Sequence, residues 1–322
     1  MILTQLPDLP PRPETQRNAA FRRQFYSLWG KENWIVCGQS RHAEYARFRQ
    51  TLSIKMISNG AEHYYVDRRR LTVTDETYLV LNENREYSSV LDAPAEAFSF
   101  CVFFKPGFAN EIAASSRMNV AQALDAGTEP KLAPVEFSEH LRRHERSISI
   151  LLRYLCHHVR SGVTDMNWYD EQFIFLLERL IRNEKELAKQ PESVPCARGA
   201  KREELMRRLR WATDFIHSNL HRELSLTEIA RTAHLSNYHF LRMFRQVFQM
   251  TPMEYLRAQR TQRAIALLRS TSLEVQEIAE QVGFSRLSLW RNVRQVIGEG
   301  PLRMRQRATQ SGRQPESSDC IA

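Results

Sequence analysis

Two segments between Ser225 and Arg305 repeat one pattern of residue types at a constant offset of 49 positions. The run Glu228-Ile229-Ala230 recurs as Glu277-Ile278-Ala279, and the alignment needs no gap. Further matched pairs are Leu235-Ser236 with Phe284-Ser285, Phe240 with Leu289, Arg242 with Arg291, Phe244 with Val293, Phe248 with Ile297 and Pro252 with Pro301. A repeat of this length indicates one supersecondary unit used twice, and two copies are too few for a solenoid.

Each copy predicts a short helix, a tight turn and a longer helix. The first helix has an apolar face at Leu226, Ile229 and Ala230, and its cap is Ser225 or Thr227. The turns fall at His234-Leu235 and at Gly283-Phe284, where glycine tolerates the positive φ of a sharp helix end. A helix-turn-helix of this kind places its second helix in the major groove of DNA.

The second helix of each copy keeps a polar and basic face beside its apolar stripe. Arginine reads guanine with two hydrogen bonds, whereas asparagine and serine suit adenine or mixed base edges. The alternative is an ordinary solvated face, which is a weaker interpretation because both copies carry the pattern in register. The predicted base-reading residues are Asn237, Tyr238, His239, Arg242, Arg286, Ser288 and Arg291. The predicted phosphate contacts are Ser236, Ser285, Arg207, Arg257 and Arg294.

The positive charge of the chain is concentrated on the repeat region. The formal net charge is +9 over 322 residues, and +8 of it falls after residue 200, where 20 Lys and Arg face 12 Asp and Glu. A basic excess confined to one region indicates a polyanionic partner. The basic helices lack the exposed Trp and Leu face that membrane-surface binding needs, so double-stranded DNA is the expected partner.

The order and spacing of residues in this region also resemble a known family. Residues 205–307 are similar to the DNA-binding domain of the AraC/XylS family of bacterial transcription regulators, through Ala230 to Ser236, Phe244, Pro252, Tyr255-Leu256-Arg257, Val282 to Ser285 and Gly300-Pro301. Three features depart from the family pattern: a second turn that is one residue shorter, Val293 for a core phenylalanine, and Met304 for an aromatic residue. The resemblance implies a regulator, commonly an activator that contacts RNA polymerase.

Residues 21–104 carry the pattern of short β-strands. Apolar runs recur at roughly ten-residue spacing, and Asn59-Gly60 is a strong hairpin signal. This spacing predicts a small barrel or jelly roll, and the resemblance implies a cupin-like sensing domain. The predicted strands are 34–37, 52–57, 63–66, 71–73, 78–81 and 98–104.

A β-barrel of this size can hold one small ligand. The polar side chains predicted to contact such an effector are His63, Tyr65, Tyr78 and Asn82. The alternative is an interior filled by apolar side chains, with control left to a protein partner or to abundance. A cupin enzyme needs a His-x-His set, which His63 lacks, and the sequence has no nucleophile triad, phosphate-binding loop or paired-carboxylate motif. We therefore predict no metal, no cofactor and no enzymatic activity.

Two amphipathic segments follow the strands. One apolar helical stripe runs from Leu141 to Val159 and is ended by Ser161-Gly162, and a second runs from Trp168 to Ile181. Stripes this apolar must be buried, either on the barrel or against a second copy of the chain. The family resemblance favours the second copy, so a homodimer is predicted.

These patterns divide a chain of mixed α and β class into six segments. They are a flexible arm at 1–18, a cupin-like sensing domain at 19–125, a helical dimerisation segment at 126–190, a linker at 191–203, a double helix-turn-helix domain at 204–308 and a disordered tail at 309–322. The five cysteines are scattered, and no apolar stretch is long enough to span a membrane. Since no secretory signal starts the chain, the expected location is the cytoplasm.

Overall fold

The computed structural model describes residues 2–4, 27, 30–116, 134–144, 146–189 and 200–311. The chain divides into two compact units, Met1–Arg207 and Arg208–Ala322. In its described part, the first unit combines a β-sheet with helices, and the second is entirely helical. Within the same described ranges, no helix is long and apolar enough to cross a membrane.

The described part of the first unit contains one eight-stranded sheet. The strands follow the order β1-β2-β7-β3-β6-β8, and the hairpin β4–β5 is attached to β7. All pairs are antiparallel except β1 with β2. The strands are β1 (Ile2–Leu3), β2 (Trp34–Arg49), β3 (Ser53–Ser58), β4 (Ala61–Val66), β5 (Arg69–Thr74), β6 (Thr77–Leu81), β7 (Glu86–Phe103) and β8 (Leu141–Arg143). Because β7 pairs with β2, β3 and β4, the sheet curls into a nearly closed barrel, as the strand pattern predicts.

Strands β2 and β7 are far longer than the apolar runs 34–37 and 98–104 that predict them. Their remaining parts are rich in charged and small residues, which hides the alternation of buried and exposed positions. The register shifts between Ser40 and His42, opposite the stretch of β7 that contains Pro94. Proline has no N–H to donate to a ladder, so an irregular stretch is where a long strand tolerates it.

The sheet is buried on both faces. Three helices cover one face: α1 (Phe108–Ser115), α2 (Arg146–Arg160) and α3 (Met166–Lys189). The core beneath them contains Ile54, Val80, Phe100 and Val102 of the sheet with Leu152, Leu155, Phe173 and Leu176 of the helices. Inside the barrel lie Ile57, Tyr64, Val66, Leu71, Leu79, Tyr87 and Leu91. The apolar stripes predicted for these helices are therefore buried against the sheet. Burial of each large apolar side chain contributes roughly 1.5–3 kcal/mol to folding.

The assignment of Leu141 to the first helical stripe is wrong. Residues Leu141–Arg143 form β8, which pairs with β6 through Leu79 and Leu141, and α2 begins only at Arg146. The Leu141 side chain packs inside the barrel, and its backbone extends the sheet by pairing with β6. Helix α1 was not predicted from the sequence.

A buried ion pair fixes α3 to β8. Arg142 donates to Glu184 Oε2 at 2.5 Å, and the Arg142 side chain is only 4% exposed. Glu184 Oε1 also accepts hydrogen bonds from the backbone N–H and the hydroxyl of Ser138. Burial raises the pKa of the Glu184 carboxyl, but Arg142 and Ser138 lower it by more, so its net pKa lies below the ordinary 4.5.

Three predicted segment boundaries differ from the structure. Ile2 and Leu3, within the predicted arm, form a strand paired with Ile35 and Val36, whereas residues 5–18 lie outside the described ranges. The helix predicted to open the double helix-turn-helix domain at 204 begins at Ala200, because Ala, Lys, Arg and Glu are strong helix formers. The last helix reaches Ser311, so residues 309–311 of the predicted tail are helical.

Seven helices are described between residues 200 and 311, and the first of them crosses the boundary between the two units at Arg207. They are α4 (Ala200–Ser218), α5 (Leu226–Thr232), α6 (Asn237–Phe248), α7 (Pro252–Ser270), α8 (Val275–Gln281), α9 (Arg286–Ile297) and α10 (Pro301–Ser311). Helix α7 lies in the chain between two short-helix, turn, long-helix units, α5–α6 and α8–α9. Val293 and Met304, which replace aromatic residues of the family pattern, are buried in the core of the second unit with Leu268, Ile278 and Leu289.

Candidate nucleic-acid interface

The α5–α6 and α8–α9 units have the same backbone plan at an offset of 49 positions. Helices α5 and α8 both contain seven residues, and α6 and α9 both contain twelve. The connecting turns, Ala233–Ser236 and Val282–Ser285, are equal in length. The sequence repeat therefore corresponds to a structural repeat.

Each turn depends on one residue with positive φ. His234 has φ 51° and Gly283 has φ 71°, and they are equivalent positions of the two copies. After each, an N–H reaches back to the first helix, from Leu235 to the Ala230 carbonyl at 3.2 Å and from Phe284 to the Ala279 carbonyl at 2.8 Å. The turn predicted at Gly283 is therefore a left-handed helix end, as expected.

Side-chain caps hold the helix starts. Ser225, and not Thr227, caps α5 through a capping box with Glu228. Ser236 and Ser285 accept hydrogen bonds from the backbone N–H groups of His239 and Ser288, so both cap the second helices. The N-termini of α6 and α9 are thus fixed, with their remaining N–H groups directed away from the helices.

The outer faces of α6 and α9 are exposed and basic. Tyr238 is 72% exposed, and Arg242, Arg286 and Arg291 are exposed as well. Within the described ranges these three arginines have no ion-pair or hydrogen-bond partner. An arginine that protrudes without a partner is available to base edges or phosphates, since its five donors are unsatisfied by the protein.

Other predicted base-reading side chains also make contacts within the unit. Asn237 Nδ2 donates to Thr227 Oγ1 at 2.9 Å, which ties α6 to α5. The Ser288 hydroxyl accepts from Ser285 at 2.9 Å, and the His239 ring lies 3.1 Å from the Ser236 hydroxyl. These three side chains therefore contribute to the local structure around the helix start.

The predicted phosphate contacts differ in their freedom. Arg257 is exposed on α7, and the Arg294 guanidinium lies over the exposed Trp290 ring at 4.9 Å. The exposure of Trp290 and Leu287 on α9 corrects the expectation that the basic helices lack exposed Trp and Leu side chains. Arg207 forms an ion pair with Glu204 one turn away on α4. Phosphate binding by Arg207 would have to compete with that pair.

Arg260 of α7 joins parts of the second unit, a role that was not predicted from the sequence. Its Nε donates to the Leu220 carbonyl at 2.9 Å and its Nη2 to the Arg222 carbonyl at 2.6 Å. Its guanidinium also lies 5.7 Å from the Phe284 ring in the second turn. Arg260 therefore connects the segment before α5 to the α8–α9 turn.

The structure does not bring the four predicted effector residues to one site. His63 contacts Thr72 at 2.9 Å, and Tyr65 is exposed on the same face of β4. Tyr78 is buried beneath the helices, whereas Asn82 binds the backbone of Phe137. These four positions therefore lie on different faces of the sheet.

Comparison with known proteins bears on the second unit. Residues 229–307 match the family model for a helix-turn-helix domain. An uncharacterised HTH-type transcriptional regulator of Bacillus subtilis, YfiF, is 35% identical over 86 residues, which is 27% of each chain. The lactose operon transcription activator of Staphylococcus xylosus is 30% identical over 73 residues, 23% of this chain and 26% of that protein. The matches thus span about a quarter of the length of these relatives.

Solved structures include similar domains. A transcriptional regulator from Chromobacterium violaceum, described as containing an AraC-type DNA-binding domain, is 26% identical, with a TM-score of 0.31; the match covers 33% of this chain and 95% of that one. The family model and the curated regulators identify residues 229–307 as a helix-turn-helix domain, in the region where the sequence resembles the AraC/XylS DNA-binding domain.

Proposed function

We propose that the protein is a sequence-specific transcription regulator that reads two successive major grooves with α6 and α9. The observation that carries this proposal is the structural repeat, which presents Arg242 and Arg291 at equivalent exposed positions. Helix α7 has 19 residues, and a helix of that length is about 28 Å long. That length is close to the ~34 Å of one DNA turn that separates successive grooves on one face.

The phosphate backbone would be bound by groups that flank the reading helices. The N-termini of α6 and α9, at Ser236 and Ser285, offer backbone N–H groups, and Arg257 and Arg294 add charge. Since +8 of the net charge of +9 falls after residue 200, we expect affinity to fall steeply with salt.

The experiment is selection of binding sites from random DNA by the full-length protein at several salt concentrations. We expect two short boxes about one helical turn apart. A single box would mean that only one helical unit reads bases. Binding without any enrichment, fading uniformly as salt rises, would reject sequence-specific recognition and leave a non-specific polyanion binder.

Arg242→Ala is expected to weaken binding by roughly 1–3 kcal/mol for DNA with the preferred base at one position, and hardly at all once that base is changed. Arg291→Ala should act in the same way within the other box. Competition binding against a set of singly substituted sites measures this. Arg269→Ala, an exposed arginine at the end of α7, is the control for loss of surface charge. An equal loss on every site would reassign Arg242 to a phosphate.

We further propose that the chain forms a homodimer through the outer face of α2 and α3. The inner faces of both helices pack on the barrel, yet Ile150 is 58% exposed and Phe175 48% exposed on the outer face. Tyr154 of α2 and Met166 and Ile174 of α3 are exposed as well. Large exposed apolar side chains that form one patch are typical of protein interfaces.

The double variant Ile150→Glu, Phe175→Glu is expected to be monomeric, because it would bury four like charges in the two-fold interface. Its affinity for DNA carrying two sites should fall roughly 100-fold or more through loss of bivalent binding. Light scattering and binding to one-site and two-site DNA measure both effects. Leu302→Glu adds the same charge at an exposed apolar residue of α10 and serves as the control. A double variant that remains dimeric rejects this interface.

Activation of transcription and response to a small-molecule effector complete the proposal. The Staphylococcus xylosus relative is named an activator, which supports that sign of regulation and hence a contact with RNA polymerase. Transcription in vitro from a promoter carrying the selected site tests activation.

A regulator without a small-molecule ligand is the alternative to an effector-controlled one. Thermal-shift measurements against a panel of metabolites separate these two possibilities. Stoichiometric iron or zinc in the purified protein would instead favour a cupin-type enzyme.

A further inference from the structure

The barrel interior contains a buried group of polar side chains that the DNA-binding role does not use. Lys55 pairs across the sheet with Leu79 and Cys101, and Glu62 pairs with Leu91, so both side chains share the face that lines the barrel. Lys55 is 2% exposed and Glu62 3% exposed. A charged residue is rarely this buried unless it is paired or functional.

Lys55 lacks the partner that burial of a cation demands. Its ammonium lies 3.9 Å from the centre of the Phe103 ring and 5.1 Å from that of Tyr87. Within the described ranges, no ion pair or hydrogen bond to this ammonium is present. Two aromatic faces only partly replace the water that a buried ammonium loses, so burial lowers the pKa of Lys55.

Glu62 does not supply the missing partner. It acts on Lys55 electrostatically without forming an ion pair within the described ranges, and its Oε2 accepts from the Ser99 hydroxyl at 3.2 Å. Burial raises the pKa of the Glu62 carboxyl, and hydrogen bonds from Ser89 and Tyr64 only partly oppose that rise. The carboxyl is therefore engaged by neutral donors, while the ammonium faces aromatic rings.

We propose that the barrel binds a small monocarboxylate whose carboxylate group pairs with the Lys55 ammonium and whose apolar part packs on Phe103 and Tyr87. Lysine offers three N–H donors and no acceptor, so its ligand must accept hydrogen bonds, and an anion also neutralises the buried charge. Glu62 disfavours a second carboxylate on the ligand through repulsion. This inference rests on the effector part of the proposed function and names the class of effector.

The test is calorimetric and thermal-shift binding to the full-length protein. The probes are acetate, butyrate, hexanoate and benzoate, each compared with its primary amide. We expect at least one carboxylate to bind and its amide to bind far more weakly. Equal binding of an acid and its amide, or no binding by any of the four acids, would overturn the proposal. This comparison uses the wild-type chain and so does not depend on a variant that folds.

Variants then test the anchor. Lys55→Met keeps the length of the side chain and removes the charge, and we expect it to bind the acid about 10- to 100-fold more weakly. Its thermal stability without ligand should be equal to or above that of the wild type, because an apolar group replaces an unpaired buried charge. Undiminished binding by Lys55→Met would contradict the assignment.

Glu62→Gln tests the selection against dianions. We expect this variant to keep benzoate binding and to gain affinity for succinate, because the repelling carboxyl is gone. Unchanged discrimination against succinate would remove Glu62 from the site. Site selection from random DNA is independent of these measurements. A failure of ligand binding therefore leaves DNA reading untouched, and a failure of DNA reading leaves the ligand data valid.

Discussion

Replacing Gly283 by alanine is expected to destabilise the α8–α9 unit by about 3 kcal/mol, through left-handed backbone strain and loss of the Arg260 contacts. Gly283 has φ +71°, and a Cβ there would lie 2.5 Å from the Leu220 carbonyl oxygen and 2.9 Å from Arg260 Nη2. Backbone cannot yield as a flexible side chain can, so the turn itself must move. Denaturant unfolding measures the loss, and site selection should lose one of the two boxes.

Gly298→Ala is the matched control. Gly298 also has positive φ, at +86°, but a Cβ there meets nothing within 4 Å. The Gly298→Ala variant should lose only about 1 kcal/mol of stability, which is the effect of left-handed backbone strain alone. If the two variants lose the same stability, steric contact at Gly283 and the Arg260 connection contribute nothing measurable.

Glu184→Ala is expected to destabilise the first unit by roughly 3–5 kcal/mol, because removing one partner leaves a buried charge uncompensated. The charge is that of Arg142, whose guanidinium is held by Glu184 at 2.5 Å, and Ser138 loses two hydrogen bonds as well. Thermal unfolding of the full-length chain at neutral pH measures this. Glu184→Gln retains the shape and some hydrogen bonds, so we expect a smaller loss.

The same pair makes stability depend on pH in one direction. The folded-state pKa of Glu184 lies below its ordinary value of 4.5. Its contribution is therefore fully present above about pH 4.5 and is lost as pH falls through the lower folded pKa. The stability difference between wild type and Glu184→Gln should shrink as the solution is acidified below pH 4.5. A difference that stays constant over this range would show that the ion pair is not the source.

Local patterns predicted the second unit well, whereas the barrel depended on long-range contacts. Helical periodicity, the capping serines and Gly283 lie within a few residues of the structure they determine, so they can be recognised in the chain. The long middle of β7 is held by partners on β2, β3 and β4, and its own composition does not indicate a strand. Leu141 was mispredicted for the same reason. Its spacing from other apolar residues suits a helix, but its long-range pairing with Leu79 places it in a strand.

A residue of a candidate site could be predicted from the sequence when the exposure of its side chain follows from local geometry. The exposed arginines of α6 and α9 follow from helical phase alone. Arg260, and the bond between Asn237 and Thr227, depend on tertiary packing and carry no sequence signal. Lys55 alternates with Ile54 and Met56 and so suggests a solvent-facing position, but the sheet is covered on both faces and its apparent outer side is the barrel interior.

The contacts of Arg260 limit how this domain can be recombined with others. The α8–α9 segment is a natural piece to graft from another regulator in order to change one half of the target sequence. Its turn, however, packs against Arg260 of α7 and the Leu220 carbonyl, both of which precede the segment in the chain. A productive crossover must therefore fall before residue 220, so that the arginine, the carbonyl and the glycine are inherited together.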